Sequence, residues 1–129
     1  MNVISDTNIL LAVVLNEPEK DLIIQLTSGK NVIAPEILPY EIGNALSAMI
    51  KRKQITPEQA LLAQQKADLI PVRLVSSDIQ KALKLAIEYN IYTYDAYFLR
   101  CAKSLSCPLI TLDKQMKQIA TELDIEVLE

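Results

Sequence analysis

Residues 2–8, Asn2-Val3-Ile4-Ser5-Asp6-Thr7-Asn8, form a short apolar segment that ends on a carboxylate and leads into a helical pattern. In open parallel α/β sheets, ligands bind beyond the carboxyl ends of the strands, so an acid there is well placed to handle a metal ion or a phosphate. Asp, Thr and Asn are also good helix N-caps, and Asp6 could serve only to start the helix near Ile9. Taken alone, this segment leaves both roles open.

The composition is that of a globular protein with a substantial core. The chain has 129 residues, of which 50% are hydrophobic and only two are glycine. This suits a single domain spanning residues 1–129 and excludes a disordered chain. No apolar run reaches the ~18 residues needed to span a bilayer, and no signal-peptide pattern is present. We therefore expect a cytoplasmic protein with no membrane association.

The absence of histidine from the sequence narrows the possible chemistry. It excludes a Ser-His-Asp triad and acid–base catalysis by imidazole. The two cysteines, Cys101 and Cys107, cannot supply a four-ligand zinc site by themselves, and they lack the base that a Cys–His nucleophile needs. We expect at least one of them to be a small buried side chain.

The net charge of −3, from 13 basic and 16 acidic residues, does not exclude a nucleic-acid substrate. Four acids crowd the C-terminal segment: Glu122, Asp124, Glu126 and Glu129. Four others, described below, would be neutralised by a bound metal ion. The rest of the surface then carries more basic than acidic residues, so an RNA partner stays possible.

Short apolar segments alternate with helical patterns along the whole chain. Strands are predicted at residues 2–5, 31–34, 71–75, 108–112 and 125–128. Helices are predicted at about residues 9–15, 19–27, 36–53, 57–69, 79–89, 94–105 and 114–123, with Thr56, Asp78 and Thr93 as N-caps and Asn90 as a left-handed C-cap. This alternation predicts an α/β fold, a parallel sheet with helices on both faces.

Four acids are expected to meet at one edge of this sheet. Asp6 and Asp113 each end an apolar strand, whereas Glu41 and Asp95 each lie near the start of a helix. Helix N-termini follow parallel strands at the carboxyl edge of the sheet, so all four can reach one crevice. Each acid also has a purely structural explanation, since acids stabilise helix N-termini and Asp is common in turns.

Carboxylates placed so close together repel one another, and a cation would relieve that repulsion. Oxygen ligands without His or Cys favour Mg²⁺ or Mn²⁺. Such a site can generate a hydroxide from bound water and stabilise an in-line phosphoryl transition state.

The motifs around these acids resemble those of PIN-domain ribonucleases, and most closely those of VapC-type toxins of bacterial type II (VapBC) toxin–antitoxin systems. The matching segments, in order, are Asp6-Thr7-Asn8, Glu41-Ile42-Gly43-Asn44, Tyr94-Asp95-Ala96 and Ile110-Thr111-Leu112-Asp113. Each motif is weak, but the ordered set covers the whole chain and is fairly specific.

The resemblance implies a Rossmann-like PIN domain and an endoribonuclease that depends on Mg²⁺ or Mn²⁺. Asp6, Glu41, Asp95 and Asp113 match the acidic positions, at which the family binds metal and carries out catalysis. The polar residues that match the supporting positions are Thr7, Asn8, Asn44 and Thr111. The resemblance also implies a homodimer and a cognate VapB-like antitoxin that blocks the site.

Basic residues on the helices flanking Asp113 could contact RNA phosphates. These residues are Arg100, Lys103, Lys114 and Lys117. Cations near a helix C-terminus are also favoured by the helix dipole, so this pattern leaves the assignment open.

Three alternative functions use the same residues differently. A phosphatase of the haloacid-dehalogenase type would use Asp6 as a nucleophile, but it normally has a second Asp two residues later, where this chain has Asn8. A phospho-receiver domain would need an adjacent pair of acids early in the chain, and none lies near Asp6. A PIN-like module that binds a partner without catalysis is the third alternative, although the four acids argue against it.

Overall fold

The computed structural model describes residues 1–129. Strands and helices follow one another in the order β1 (Asn2–Ser5), α1 (Thr7–Val14), α2 (Lys20–Thr27), β2 (Asn31–Pro35), α3 (Leu38–Lys51), α4 (Pro57–Leu69), β3 (Arg73–Val75), α5 (Ile79–Tyr89), α6 (Thr93–Leu105), β4 (Leu109–Ile110) and α7 (Lys114–Glu122).

The four strands form one sheet in the order β3-β2-β1-β4, and every pair of neighbours is parallel. Ile4 of β1 lies between Ile33 of β2 and Leu109 of β4, so β1 is a central strand. Because all strands run the same way, their carboxyl ends lie at one edge of the sheet. This confirms the predicted α/β class and its parallel sheet.

Apolar side chains cover both faces of the sheet. Ile4, Ile33 and Leu109 belong to the larger core, which is completed by residues of α1 and of helices α3 to α7. Val3 and Ile110 belong to a smaller core completed by residues of α1 and α2. Successive residues of a strand point to opposite faces, so strands buried on both faces read as continuous apolar runs. The predicted placement of helices on both faces is confirmed.

Local capping chemistry explains several helix boundaries. Thr56 and Gln59 form a reciprocal capping box at the start of α4, and the Asp78 side chain accepts a hydrogen bond from the backbone N–H of Lys81 at the start of α5. Asn90 ends α5 with a left-handed φ of 54°, a conformation that Asn tolerates better than most residues. All three predicted caps are confirmed.

Three predicted details are wrong. The last predicted strand, at residues 125–128, is only an isolated bridge between Val127 and Leu109, since β4 has just two residues and offers little edge for a fifth strand. Thr93 does not cap α6, because that helix begins at Thr93 itself and Tyr92 is its N-cap. Helix α1 begins at Thr7 rather than near Ile9, because Asp6 caps it.

None of the helices combines the length and the apolar composition needed to cross a lipid bilayer. Cys101 and Cys107 are free thiols, and both are only partly buried.

Candidate active site

Asp6 lies just beyond the carboxyl end of the central strand and is only 5% exposed. Its Oδ1 accepts a hydrogen bond of 2.7 Å from the backbone N–H of Thr7, so Asp6 caps α1 as its residue type allows. Its Oδ2 accepts a hydrogen bond of 2.8 Å from the Thr111 hydroxyl. Each carboxylate oxygen has two lone-pair sites, so each can still accept a further proton or bind a cation.

Thr7 connects Asp6 to Glu41. Its backbone N–H donates to Asp6, and its hydroxyl donates to Glu41 Oε2 over 2.6 Å. Glu41 is in the first turn of α3 and is partly buried. The hydroxyl of one buried threonine therefore fixes the position of an acid on a different element.

Thr111 makes the corresponding connection between Asp6 and Asp113. Its hydroxyl donates to Asp6 Oδ2 and accepts a hydrogen bond of 3.1 Å from the backbone N–H of Asp113. Asp113 caps α7, since its Oδ1 accepts from the backbone N–H of Met116 over 3.0 Å. The Thr111 side chain is 2% exposed, and this burial holds its hydroxyl in one place.

Asp95 lies in the first turn of α6, which packs against β1 and β2. Its carboxylate makes no hydrogen bond within the chain, unlike those of the other three acids. The Asp95 charge contributes to the raised pKa values of Asp6 and Glu41, and the Asp113 charge contributes to that of Asp95. Asp95 therefore interacts electrostatically with the other three acids.

Burial is the main cause of the altered acidity at the site. It raises the pKa of Asp6 from 3.8 to about 6, with smaller contributions from the charges of Asp95 and Glu41, while the hydrogen bonds from Thr111 and Thr7 act in the opposite direction. Burial likewise raises the pKa of Glu41 and of Asp95. Desolvation and like charges both disfavour the ionised carboxylate, so the arrangement favours binding of a proton or a cation.

The structure does not contain a ready-made coordination shell, because no three His, Cys, Asp or Glu side chains are gathered as a metal-binding group. The donor chemistry nevertheless suits a hard divalent cation, since all the candidate ligands are carboxylate oxygens. Glu41, Asp95 and Asp113 each keep at least one carboxylate oxygen free of hydrogen bonds within the chain. The residues present therefore fit Mg²⁺ or Mn²⁺ by ligand type.

The other predicted polar residues are less closely tied to the acids. Asn8 and Asn44 are exposed, and neither side chain hydrogen-bonds to a carboxylate. Ser5, which the sequence analysis did not single out, is 1% exposed, and its hydroxyl donates to the backbone carbonyl of Asp6 over 3.2 Å. A hydroxyl-bearing residue within an apolar strand was the signal that could have identified it.

The four basic residues predicted to contact phosphates have different surroundings. Lys103 donates to the backbone carbonyl of Leu123 over 2.6 Å, and Lys117 forms an ion pair of 3.2 Å with Glu129. Lys114 is exposed next to Asp113, whereas Arg100 lines a cavity between α5 and α6. The structure therefore does not gather these four cations into one patch.

The family model of the PIN domain matches residues 3–122. The chain belongs to the PIN-domain family, a family of nucleases. The predicted family resemblance is thereby confirmed. Curated proteins gave no match to the chain.

Two solved structures have the same fold as this chain. The crystal structure of PAE2754 from Pyrobaculum aerophilum is 19% identical, with a TM-score of 0.68 over 96% of this chain and 90% of that one. A second crystal structure shows VapBC2 from Rickettsia felis bound to a DNA fragment from the VapBC2 promoter. Its matching chain is 18% identical, with a TM-score of 0.67 over 100% of this chain and 98% of that one. At this level of identity, the likeness shows a common fold.

Proposed function

We propose that this chain is a metal-dependent endoribonuclease and the toxin of a VapBC-type toxin–antitoxin pair. The observation that carries the proposal is the connection of three acids through two buried threonines: Thr7 joins Asp6 to Glu41, and Thr111 joins Asp6 to Asp113. Burial and mutual repulsion of the carboxylates destabilise the folded protein. Acids with such raised pKa values are typical of functional sites. Membership in a nuclease family supports the same conclusion.

The chain's own residues divide the work by their surroundings. Asp6, Glu41 and Asp113 are held by hydrogen bonds and would hold a divalent cation. Asp95 makes no hydrogen bond within the chain, so both of its oxygens are free to join the other three acids in holding the cation. When bound, Mg²⁺ or Mn²⁺ supplies an activated water and stabilises the charge of the phosphodiester transition state.

The alternative in which Asp6 is phosphorylated has less support from the geometry. A nucleophilic carboxylate needs an oxygen that the incoming phosphorus can approach. Asp6 is only 5% exposed, so little of its carboxylate is open to an approaching phosphoryl group. The remaining alternative is a PIN-like module without catalysis, and the experiment below distinguishes it.

The deciding experiment is incubation of the purified protein with a panel of structured RNAs in Mg²⁺, in Mn²⁺ and in EDTA. We expect cleavage with metal only, and a loss of at least ~10²-fold for Asp6→Asn, in line with removal of a transition-state stabiliser. Asp21→Asn is the matched control, because Asp21 is an exposed acid in the first turn of α2. Undiminished cleavage in EDTA, or by Asp6→Asn purified in the same way, would contradict the proposal.

The proposed antitoxin would act on the same crevice. Because the acids repel one another, a cationic side chain of a partner could neutralise them as a metal ion does. We expect the antitoxin to insert an Arg or Lys between Asp6 and Asp95 and to compete with the metal. A complex in which the antitoxin leaves both acids open to solvent would contradict this part of the proposal.

A homodimer is the other proposed assembly. Ile79, Leu83 and Ile87 are exposed and lie four residues apart along α5, so they form one apolar stripe on its surface. An apolar stripe of this kind is typical of a buried helix contact. The measurement is the molar mass in solution of wild type and Ile87→Lys, where the variant is expected to be monomeric.

A further inference from the structure

Arg100 of α6 carries a donor that the folded chain does not use. Its Nε is buried and has no hydrogen-bond partner. A guanidinium has five N–H donors in a fixed fork, and leaving a buried donor unpaired is costly. No ion pair compensates, since the one salt bridge in the chain joins Lys117 to Glu129. The terminal N–H groups of the Arg100 guanidinium also make no hydrogen bond within the chain, so they can bind an acceptor in the adjoining cavity.

The cavity next to Arg100 has a volume of about 250 Å³ and lies between α5, α6 and the end of β3. This is slightly smaller than the ~300 Å³ typical of the smallest drug-sized sites, so it suits a compact group. Its lining includes two cations and three serine hydroxyls, from Lys81, Arg100, Ser76, Ser77 and Ser104.

The charge of the cavity lining favours an anion. The one acid in the lining, Asp78, directs Oδ1 to the backbone N–H of Lys81 over 3.1 Å, where it caps α5. The Cys101 thiol is uncharged near neutral pH, because burial, with a contribution from Cys107, raises its pKa to about 11. Two cations and several hydroxyl donors around a compact space are the groups that recognise a phosphate.

The cavity lies at the same edge of the sheet as the acidic site. Ser76 and Ser77 follow the carboxyl end of β3, and β3 is two strands away from β1, which ends at Asp6. Two strand spacings correspond to about 10 Å. A single strand of RNA that lies along this edge can therefore reach both places.

The face of helix α6 that lines the cavity also carries a pair of aromatic rings. Tyr97 lines the cavity and packs edge-to-face against Tyr94, with ring centroids 6.3 Å apart. Tyr94 is exposed and directly precedes Asp95. An exposed aromatic ring beside a cationic cavity provides a stacking surface for a base.

We propose that the cavity formed by Ser76, Ser77, Lys81, Arg100 and Ser104 binds a backbone phosphate of the RNA, away from the phosphate that is cleaved at the acids. This inference rests on the proposed function. Arg100 and Lys81 are positioning residues here, because they hold the strand in register and do not touch the reacting atoms.

The test measures binding of a labelled single-stranded RNA to protein in the Asp6→Asn background at several salt concentrations. Arg100→Gln is expected to weaken binding about tenfold and to reduce the slope of log K against log salt by about 0.7, the value for one phosphate contact on a single strand. Lys81→Gln should act in the same direction. Lys84→Gln removes an exposed charge from the same helix outside the cavity, and it should leave both quantities unchanged.

Lys81 is exposed, so Lys81→Gln keeps the test valid if Arg100→Gln does not fold. RNA binding by both variants that equals that of Lys84→Gln would overturn the proposal. A second arm titrates inorganic phosphate and follows the backbone amides of Ser76 and Ser77 by NMR. Phosphate binding there with unchanged RNA affinity would mean that the cavity serves a free phosphate compound, which also overturns it.

The test of the cavity and the test of the proposed nuclease function can fail independently of each other. If the variants lose RNA binding but the wild type cleaves no RNA with Mg²⁺, the cavity stands and the nuclease proposal fails. If the wild type cleaves RNA and the variants bind it normally, only the cavity proposal fails. In an active enzyme, Arg100→Gln should raise KM while kcat stays near that of the wild type.

Discussion

The hydroxyl of Thr111 donates a hydrogen bond of 2.8 Å to Asp6 Oδ2, although the two residues are 105 positions apart in the sequence. The bond crosses from the end of β4 to the end of β1, two neighbouring strands of the sheet. It also acts on acidity, because it lowers the pKa of Asp6 against the effect of burial. One side chain therefore determines both where the buried acid points and how readily it ionises.

Replacing Thr111 with Val removes this hydroxyl at nearly constant shape. The pKa of Asp6 should then rise further above 6, by about one to two units, since hydrogen bonds to charged groups are worth about 1.5–3 kcal/mol. The acidic limb of the pH–activity profile should move to higher pH by a similar amount. Thr121→Val is the control, because that exposed hydroxyl donates only to a carbonyl of its own helix. An unchanged profile for Thr111→Val would show that the bond does not control ionisation.

The raised pKa of Asp6 also makes the stability of the metal-free protein depend on pH. Between pH 4 and about 6 the folded state keeps a proton that the unfolded state releases. The resulting stabilisation is complete below pH 4 and is lost as the pH rises through 6, with a maximum of about 3 kcal/mol. We expect the free energy of unfolding of Asp6→Asn to lack this contribution.

The measurement is denaturant unfolding in EDTA from pH 4.5 to 7.5 for wild type, Asp6→Asn and Asp21→Asn. The difference between wild type and Asp6→Asn should change with pH in favour of the variant at high pH. The Asp21→Asn control should follow the wild type. Parallel curves for all three proteins would contradict a raised pKa at Asp6.

Asp95→Asn separates a shared acidic site from a simple helix-start residue. It removes one charge from a repelling group, so it should stabilise the metal-free protein, by at most about 1 kcal/mol because the half-exposed charge is screened. With Mg²⁺ the sign should reverse, since the metal binds the folded wild-type site and stabilises it by mass action. Melting curves of both proteins in EDTA and in Mg²⁺ test this. Equal responses of the two proteins to Mg²⁺ would contradict a shared site.

Thr56→Ala should affect stability alone. It removes one half of the capping box that starts α4, at a cost of about 1 kcal/mol. Neither Thr56 nor Gln59 contacts the four acids, so RNA cleavage at a temperature well below Tm should be unchanged. A loss of activity in folded Thr56→Ala would show that α4 affects the site in a way that the structure does not explain.

The sequence predicted those features that depend on neighbouring residues. The strands around Ile4, Ile33 and Ile110 are buried on both sides, so each is a continuous apolar run that can be recognised locally. The caps at Thr56 and Asp78 are equally local, because acceptor and donor are three residues apart. The expectation that the four acids lie at one edge followed from the parallel direction of the strands, and hydrogen bonds through Thr7 and Thr111 connect three of them.

Features that depend on packing between distant elements were not predictable in this way. Val127 forms only an isolated bridge and no full strand, because its neighbour β4 has only two residues. The unpaired Nε of Arg100 depends on how α5 packs against α6, which periodicity alone does not specify. The different partners of Lys103 and Lys117 depend on the position of the C-terminal segment.

The position of β4 in the chain has a consequence for the time at which the site forms. The central strand β1 precedes the other three strands of the sheet in the chain, yet one of its two neighbours is β4, the last of the four. Until residues 109–113 have left the exit tunnel, Asp6 lacks Thr111, and Asp113 has no place beside it. A nascent chain that lacks these residues therefore cannot assemble the four acids, so the site forms only after the last of the four strands is in place.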